Sequence, residues 1–213
     1  MIPAREALDR LREGNTRFIA SLKDPDALVH QGRRLELITV QEPFAIILGC
    51  ADSRVPAEIV FDQGLGDLFV ARVAGNIIAP SLVGSVEFAA ERFGTRLVVV
   101  LGHSQCGAIT ATIESLRDPA AAGSRNLMSI VDRVRPSVET LLSAGMPLDD
   151  ARLVDLAVRA NIRASANHLR HGSPVLEDLI ERDGLLVVGA EYSLETGQVD
   201  FFDGVPGGVG ANG

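Results

Sequence analysis

Gly49-Cys50-Ala51-Asp52-Ser53-Arg54 and Gly102-His103-Ser104-Gln105-Cys106-Gly107 bracket the stretch that decides the fold. Each follows an apolar run that reads as a buried strand: Phe44-Ala45-Ile46-Ile47-Leu48 before the first, Leu97-Val98-Val99-Val100-Leu101 before the second. Between them Val55-Pro56-Ala57-Glu58 has the proline-first pattern of a helix start. Leu68-Phe69-Val70-Ala71-Arg72-Val73 reads as a strand, Ala74-Gly75-Asn76 as a turn and residues 81–92 as a helix. Strand, helix, strand, helix, strand is the order of a parallel sheet with helices on its faces. Ligands of such sheets bind beyond the carboxyl ends of the strands, so Cys50, His103 and Cys106 are predicted to converge there.

Downstream, Cys106-Gly107-Ala108-Ile109 opens a helix, 119–124 is a loop and 127–142 a helix with one polar face. Gly145-Met146-Pro147 breaks the chain before a helix over 150–169. Residues 185–189 form a fourth strand, and Gly197 turns into a fifth, 199–202, which must run antiparallel to it. Upstream, Leu8, Leu11, Phe18 and Leu22 recur at helical spacing through Gly14, which predicts a bend or close packing at that glycine. This segment either packs on its own domain or reaches a neighbouring subunit as an arm. Asp24-Pro25-Asp26 is a turn signal and 33–40 a short helix. The expected architecture is α/β: a mainly parallel central sheet, four parallel strands plus an antiparallel edge strand, flanked by helices. Residues 1–203 form one domain, with 1–40 as an N-terminal helical arm, and the Gly-rich tail 204–213 is expected to be flexible.

A length of 213 residues and 46% apolar content suit a single core. The net charge of −8 argues against nucleic acid or anionic membrane as partners, because both call for a basic face. No apolar run reaches the roughly 20 residues of a membrane span, and Met1-Ile2-Pro3-Ala4-Arg5-Glu6 lacks the apolar segment of an export signal. A cytoplasmic protein is expected. With no Trp and one Tyr, an aromatic groove for sugars or single strands is excluded.

Two cysteines in a reducing compartment read as metal ligands or reactive thiols rather than as a disulfide. Taken singly, Cys50 and Cys106 are ordinary buried thiols and His103 an ordinary loop residue. Placed together at strand ends beside glycines, they form a Cys, Cys, His set with one open position, the composition of a catalytic zinc site. Asp52 can serve as a fourth ligand or accept a hydrogen bond from metal-bound water, and Arg54 is the partner that decides between the two. The alternative for that pair is an ion pair that only shapes the loop.

Cys50-Ala-Asp52-Ser-Arg54 with His103-Ser-Gln-Cys106-Gly107 resembles the paired signature of the β-class carbonic anhydrases. The similarity extends through Glu13-Gly14-Asn15-Thr16-Arg17-Phe18, Gly66-Asp67-Leu68-Phe69-Val70 and Gly84-Ser85-Val86-Glu87-Phe88. The resemblance implies one Zn2+ per chain on Cys50, His103 and Cys106, a catalytic dyad of Asp52 and Arg54, and Asp52 as fourth zinc ligand in a closed state. It implies that Gln41 and the Gly107 N–H face the substrate and that Phe69, Ala74 and Phe88 line the cleft, largely from an adjoining subunit of a homodimer or homotetramer with exchanged amino-terminal helices. The implied reaction is hydration of carbon dioxide to bicarbonate and a proton by metal-bound hydroxide. Carbon disulfide or carbonyl sulfide hydrolysis on the same metal, and a non-catalytic anion-binding or redox-sensing protein, are the alternatives. Phe88 stands where relatives often carry tyrosine. Ile47 replaces a tryptophan found in a bicarbonate-inhibited subgroup, which argues against that inhibitory pocket. His30 is a candidate proton shuttle, weighed against an ordinary surface histidine.

Overall fold

The apolar runs at 44–48 and 97–101 become neighbouring strands in a computed structural model of the chain, which describes residues 2–21, 41–118, 123–144 and 149–206. In chain order the elements are α1 (Ala4–Ser21), β1 (Ala45–Gly49), α2 (Ala57–Val60), β2 (Leu68–Arg72), a 3₁₀ turn (Ala74–Asn76), α3 (Pro80–Arg92) and β3 (Leu97–His103). There follow α4 (Gly107–Arg117), α5 (Arg125–Ser143), α6 (Asp150–His171), α7 (Pro174–Asp183), β4 (Leu186–Tyr192) and β5 (Val199–Asp203). The sheet order is β2-β1-β3-β4-β5, parallel except for the antiparallel β4 and β5 pair. This is the expected architecture.

Strand alternation divides the core. Ile46, Leu48, Val98, Val100 and Val187 face one side, buried with residues of α3 to α7. Ala45, Ile47, Val99, Leu101, Val188 and Ala190 face the other, under α1 and α2. Because both faces are covered, the central strands read as unbroken apolar runs rather than alternating ones.

Helix α1 lies on its own sheet. Leu8 and Leu11 are 1% and 0% exposed, and burying a leucine fully stabilises by about 1.5–3 kcal/mol. Gly14 is a point of close packing within an unbroken helix: a Cβ there would overlap the Phe61 carbonyl. That approach delivers the buried Asn15 side chain to three backbone partners. Its Nδ2 donates to the carbonyls of Val60 (3.0 Å) and Gly197 (2.9 Å), and its Oδ1 accepts from the Val199 N–H (2.9 Å).

Helix α7 falls in a stretch to which the sequence reading assigned no element. Its punctuation is nonetheless complete: the Ser173 side chain accepts from the Leu176 N–H, Pro174 opens the first turn, and Gly184 closes the helix at φ 68°. The predicted tail begins in contact with the fold, since Val205 packs against the α1 side of the core. The turn at 24–26, the helix at 33–40, His30, the break at 145–147, Leu22 and most of the loop at 119–124 lie outside the described residues. No described helix is long and apolar enough to cross a membrane.

Candidate metal centre

From β1 the chain steps to β2 on one side and then crosses to β3 on the other, so the gap beyond the ends of β1 and β3 is the topological switch point of the sheet. Gly49 pairs with Leu101 there. Cys50 therefore leaves β1 beside His103, the last residue of β3, and Cys106 caps the start of α4 immediately after it. The ligand atoms of Cys50, His103 and Cys106 all lie within 4.8 Å of one another, and all three residues are buried.

The protonation pattern of this trio is that of a metal-ligand set. The His103 Nδ1 lies 2.8 Å from the Ser104 carbonyl, so it carries the hydrogen and donates it. That leaves Nε2 with a lone pair, buried and without a hydrogen-bond partner. The Cys50 thiol is pulled down by a hydrogen bond from Cys106, against the opposing effect of burial, with the backbone of Asp52 and Gly75 assisting. The Cys106 thiol is pushed up by the hydrogen it gives Cys50 and by burial. Two buried sulfurs thus lie beside an unsatisfied imidazole nitrogen, and one divalent cation would engage all three. Two sulfurs and one imidazole nitrogen suit zinc.

Asp52 is engaged elsewhere. Arg54 donates from Nε to its Oδ1 (2.9 Å), from Nη2 to its Oδ2 (2.7 Å) and from its backbone N–H to Oδ1 (3.0 Å). Those bonds hold the Asp52 carboxyl well below the usual carboxylate range. Its Oδ2 also lies 3.8 Å from His103 Nε2.

The remaining predicted contacts divide in two. Gly107 is exposed at the start of α4, and a Cβ there would meet open space. Ala74 opens the 3₁₀ turn whose Gly75 N–H donates to Cys50 Sγ at 3.4 Å. Both are beside the trio. Phe69 pairs with Ile46, three strand steps back from Arg72, about 10 Å below the strand end; there it clusters with Phe88 and Phe93. Gln41 is exposed and precedes β1, which puts it at the opposite edge of the sheet from Cys50. The chain does not bring Gln41, Phe69 or Phe88 to its own metal site.

Residues 45–199 match the family model described as carbonic anhydrase. Carbonic anhydrase 2 of Mycobacterium tuberculosis is 38% identical over 201 residues, 94% of this chain and 93% of that protein. A carbonic anhydrase of Mycolicibacterium smegmatis is 37% identical over 191 residues, 89% of each. Among solved structures, the β-carbonic anhydrase CcaA superposes with a TM-score of 0.70 at 26% identity, covering 92% of this chain and 95% of that one. The chain belongs to the β-class carbonic anhydrases.

In this carbonic anhydrase family member several residues that the sequence reading passed over hold the metal loop. Arg72 donates from Nε to the Cys50 carbonyl (2.8 Å) and from Nη2 to the Asp52 carbonyl. From α6, Asn161 donates to the Gly75 carbonyl (2.8 Å) and Ser165 to the Asn76 carbonyl (3.0 Å), fixing the turn that contacts Cys50. Gly75 sits at φ 70°, a backbone state that a side chain rarely adopts. The available signals were a charge inside the apolar strand at Arg72, and two polar residues one helical turn apart on the buried stripe of α6.

Proposed function

We propose that the chain catalyses the reversible hydration of carbon dioxide to bicarbonate and a proton, with one zinc ion per chain on Cys50, His103 and Cys106. What carries this reading is the orphaned His103 Nε2 between two sulfurs, next to an ionised Asp52. Zinc bound there supplies a nucleophile from water at neutral pH. The chain's residues do the orienting. The Ser104 carbonyl keeps His103 in the tautomer that presents Nε2. The Gly75 N–H steadies the Cys50 sulfur, while Asn161 holds the Gly75 carbonyl.

With zinc held there, Asp52 Oδ2 would accept a hydrogen from the water the metal activates, and Arg54, by gripping both carboxylate oxygens, would keep Asp52 off the metal. Gly107 offers a backbone N–H for negative charge developing on the substrate oxygens. Gln41, Phe69 and Phe88 act on the site of a second copy, with Ala74 at the same cleft, so the working unit is a homodimer or a multiple of it in which residues 1–40 take part. Three exposed apolar residues around the edge strand β2 support that assembly: Ile59 (53%), Leu65 (54%) and Phe88 (53%).

Stopped-flow hydration, metal analysis and sedimentation on one preparation test the reading. One zinc per chain, rapid hydration and a dimer or larger species are expected, with Cys106→Ser losing most of the metal. Protein that binds zinc at well under one per chain, and gains neither metal nor activity when zinc is added, would overturn it. A fully active monomer would remove the shared cleft alone.

A further inference from the structure

Gln105, between the metal-ligand candidates His103 and Cys106, is held at φ 55°, a left-handed conformation uncommon for any residue but glycine. Its side chain is tied across the sheet: Nε2 donates to Glu195 Oε1 at 2.9 Å. Glu195 belongs to the turn joining β4 to β5, which is closed by bonds from the Gly197 N–H to the Ser193 carbonyl (2.9 Å) and from the Ser193 N–H to the Gln198 carbonyl (2.8 Å). The Gln105 carbonyl in turn accepts from Arg54 Nη2 at 3.4 Å, the same nitrogen that donates to Asp52 Oδ2 at 2.7 Å.

We propose that Glu195 and Gln105 are positioning residues for the Asp52 and Arg54 pair: the hairpin turn clamps Gln105 so that its carbonyl steers the Arg54 guanidinium onto Asp52. The inference rests on the reading of that pair as catalytic. A purely structural role for the tie is the weaker account, because the ligand loop is already fastened to the hairpin without it. The Ser104 N–H donates to the Tyr192 carbonyl (3.0 Å), and the Leu194 N–H donates to the Ser104 Oγ (3.0 Å). Gln105 and Glu195 are both exposed, where a single polar contact adds little to stability. What their bond controls, and the Ser104 contacts do not, is the orientation of the peptide that follows Gln105. Among the described residues Glu195 bonds to Gln105 and not to the ligand trio or Asp52, so its effect reaches the reaction through Arg54.

The test uses the zinc-loaded enzyme and three variants. Glu195→Ala removes the acceptor, Glu195→Gln keeps an oxygen acceptor, and Gln105→Gly lets the backbone adopt the left-handed state freely while deleting the tether. Glu195→Ala is expected to lower kcat about tenfold with KM little changed, at unchanged zinc content and thermal midpoint. Glu195→Gln should recover most of that loss. Gln105→Gly should match Glu195→Ala in kcat while keeping its thermal midpoint. Nuclear magnetic resonance of the Arg54 Nε–H gives a readout independent of turnover: its hydrogen exchange should quicken in Glu195→Ala and return to the wild-type rate in Glu195→Gln. Wild-type kcat and exchange in Glu195→Ala, or losses that follow zinc content or thermal midpoint, overturn the proposal. If the wild type itself does not hydrate carbon dioxide, the functional reading falls, while the Arg54 exchange rates still decide whether Glu195 positions the pair.

Discussion

Arg54 reaches Asp52 with two side-chain nitrogens and its own backbone N–H, a planar fork that a lysine cannot reproduce. Arg54→Lys should therefore keep its charge and its zinc yet lose roughly 10- to 100-fold in kcat/KM, measured by stopped flow beside metal analysis. Retained activity would show that charge alone suffices. The same pair sets an acid limit on stability. The folded-state pKa of Asp52 is depressed, so its contribution is fully present above the unfolded-chain value of about 3.9 and drains away as pH falls through the lower folded value. Urea midpoints of wild type and Asp52→Asn should differ by a constant amount from pH 7 to pH 5 and converge in strong acid. A gap that widens on acidification would contradict the assigned sign. At this scale the sequence was informative wherever chemistry is local: Cys50, Asp52 and Arg54 share one short loop, and His103 and Cys106 share another. It was less informative where a side chain acts on distant backbone, as Arg72 and Asn161 do, because a charge in an apolar strand or a polar residue on a buried helical stripe marks that something is held without saying what.

Helix α1 carries an element-scale lesson. Its glycine, costly in a helix interior on intrinsic grounds, is the residue that lets Asn15 reach three backbone groups drawn from the end of α2 and the β4 to β5 hairpin. Asn15→Ala should cost about 2–3 kcal/mol, because buried carbonyls and an N–H lose their partner, read as a lower urea midpoint at unchanged m. A loss under 0.5 kcal/mol, the scale of a neutral surface change, would mean that the three bonds contribute nothing net. Apolar periodicity located α1, α3 and α6 to within a few residues, and the strands by their unbroken apolar character. It did not place α7, although Val175, Leu176, Leu179 and Ile180 recur at helical spacing between Ser173, Pro174 and Gly184, because a stripe of two turns is too short to stand out beside the long helix that precedes it. Nor could periodicity choose between α1 as arm and α1 as cover, since the same stripe serves any apolar surface; Asn15 and its three contacts fasten residues 4–21 to their own chain, which leaves a part in assembly open to the other face of the helix.

For the whole molecule, the ligand trio contributes little to the sheet that carries it. The five strands are paired and both faces are covered by apolar side chains that owe nothing to metal, unlike small domains in which metal binding supplies the folding energy. Prolonged chelation should therefore leave far-ultraviolet circular dichroism close to that of the loaded protein, with a lower thermal midpoint; collapse to an unfolded spectrum would refute this. The crossing of the chain from β2 over β1 to β3 then has a consequence in time. Cys50 meets His103 only once β1 and β3 have paired across the intervening α2, β2 and α3, a contact whose loop must close before it can be rewarded. A chain emerging from the ribosome can offer no more than the His103 and Cys106 half-site until that pairing is made. Completion of the three-residue set is therefore expected to follow pairing of the sheet rather than precede it.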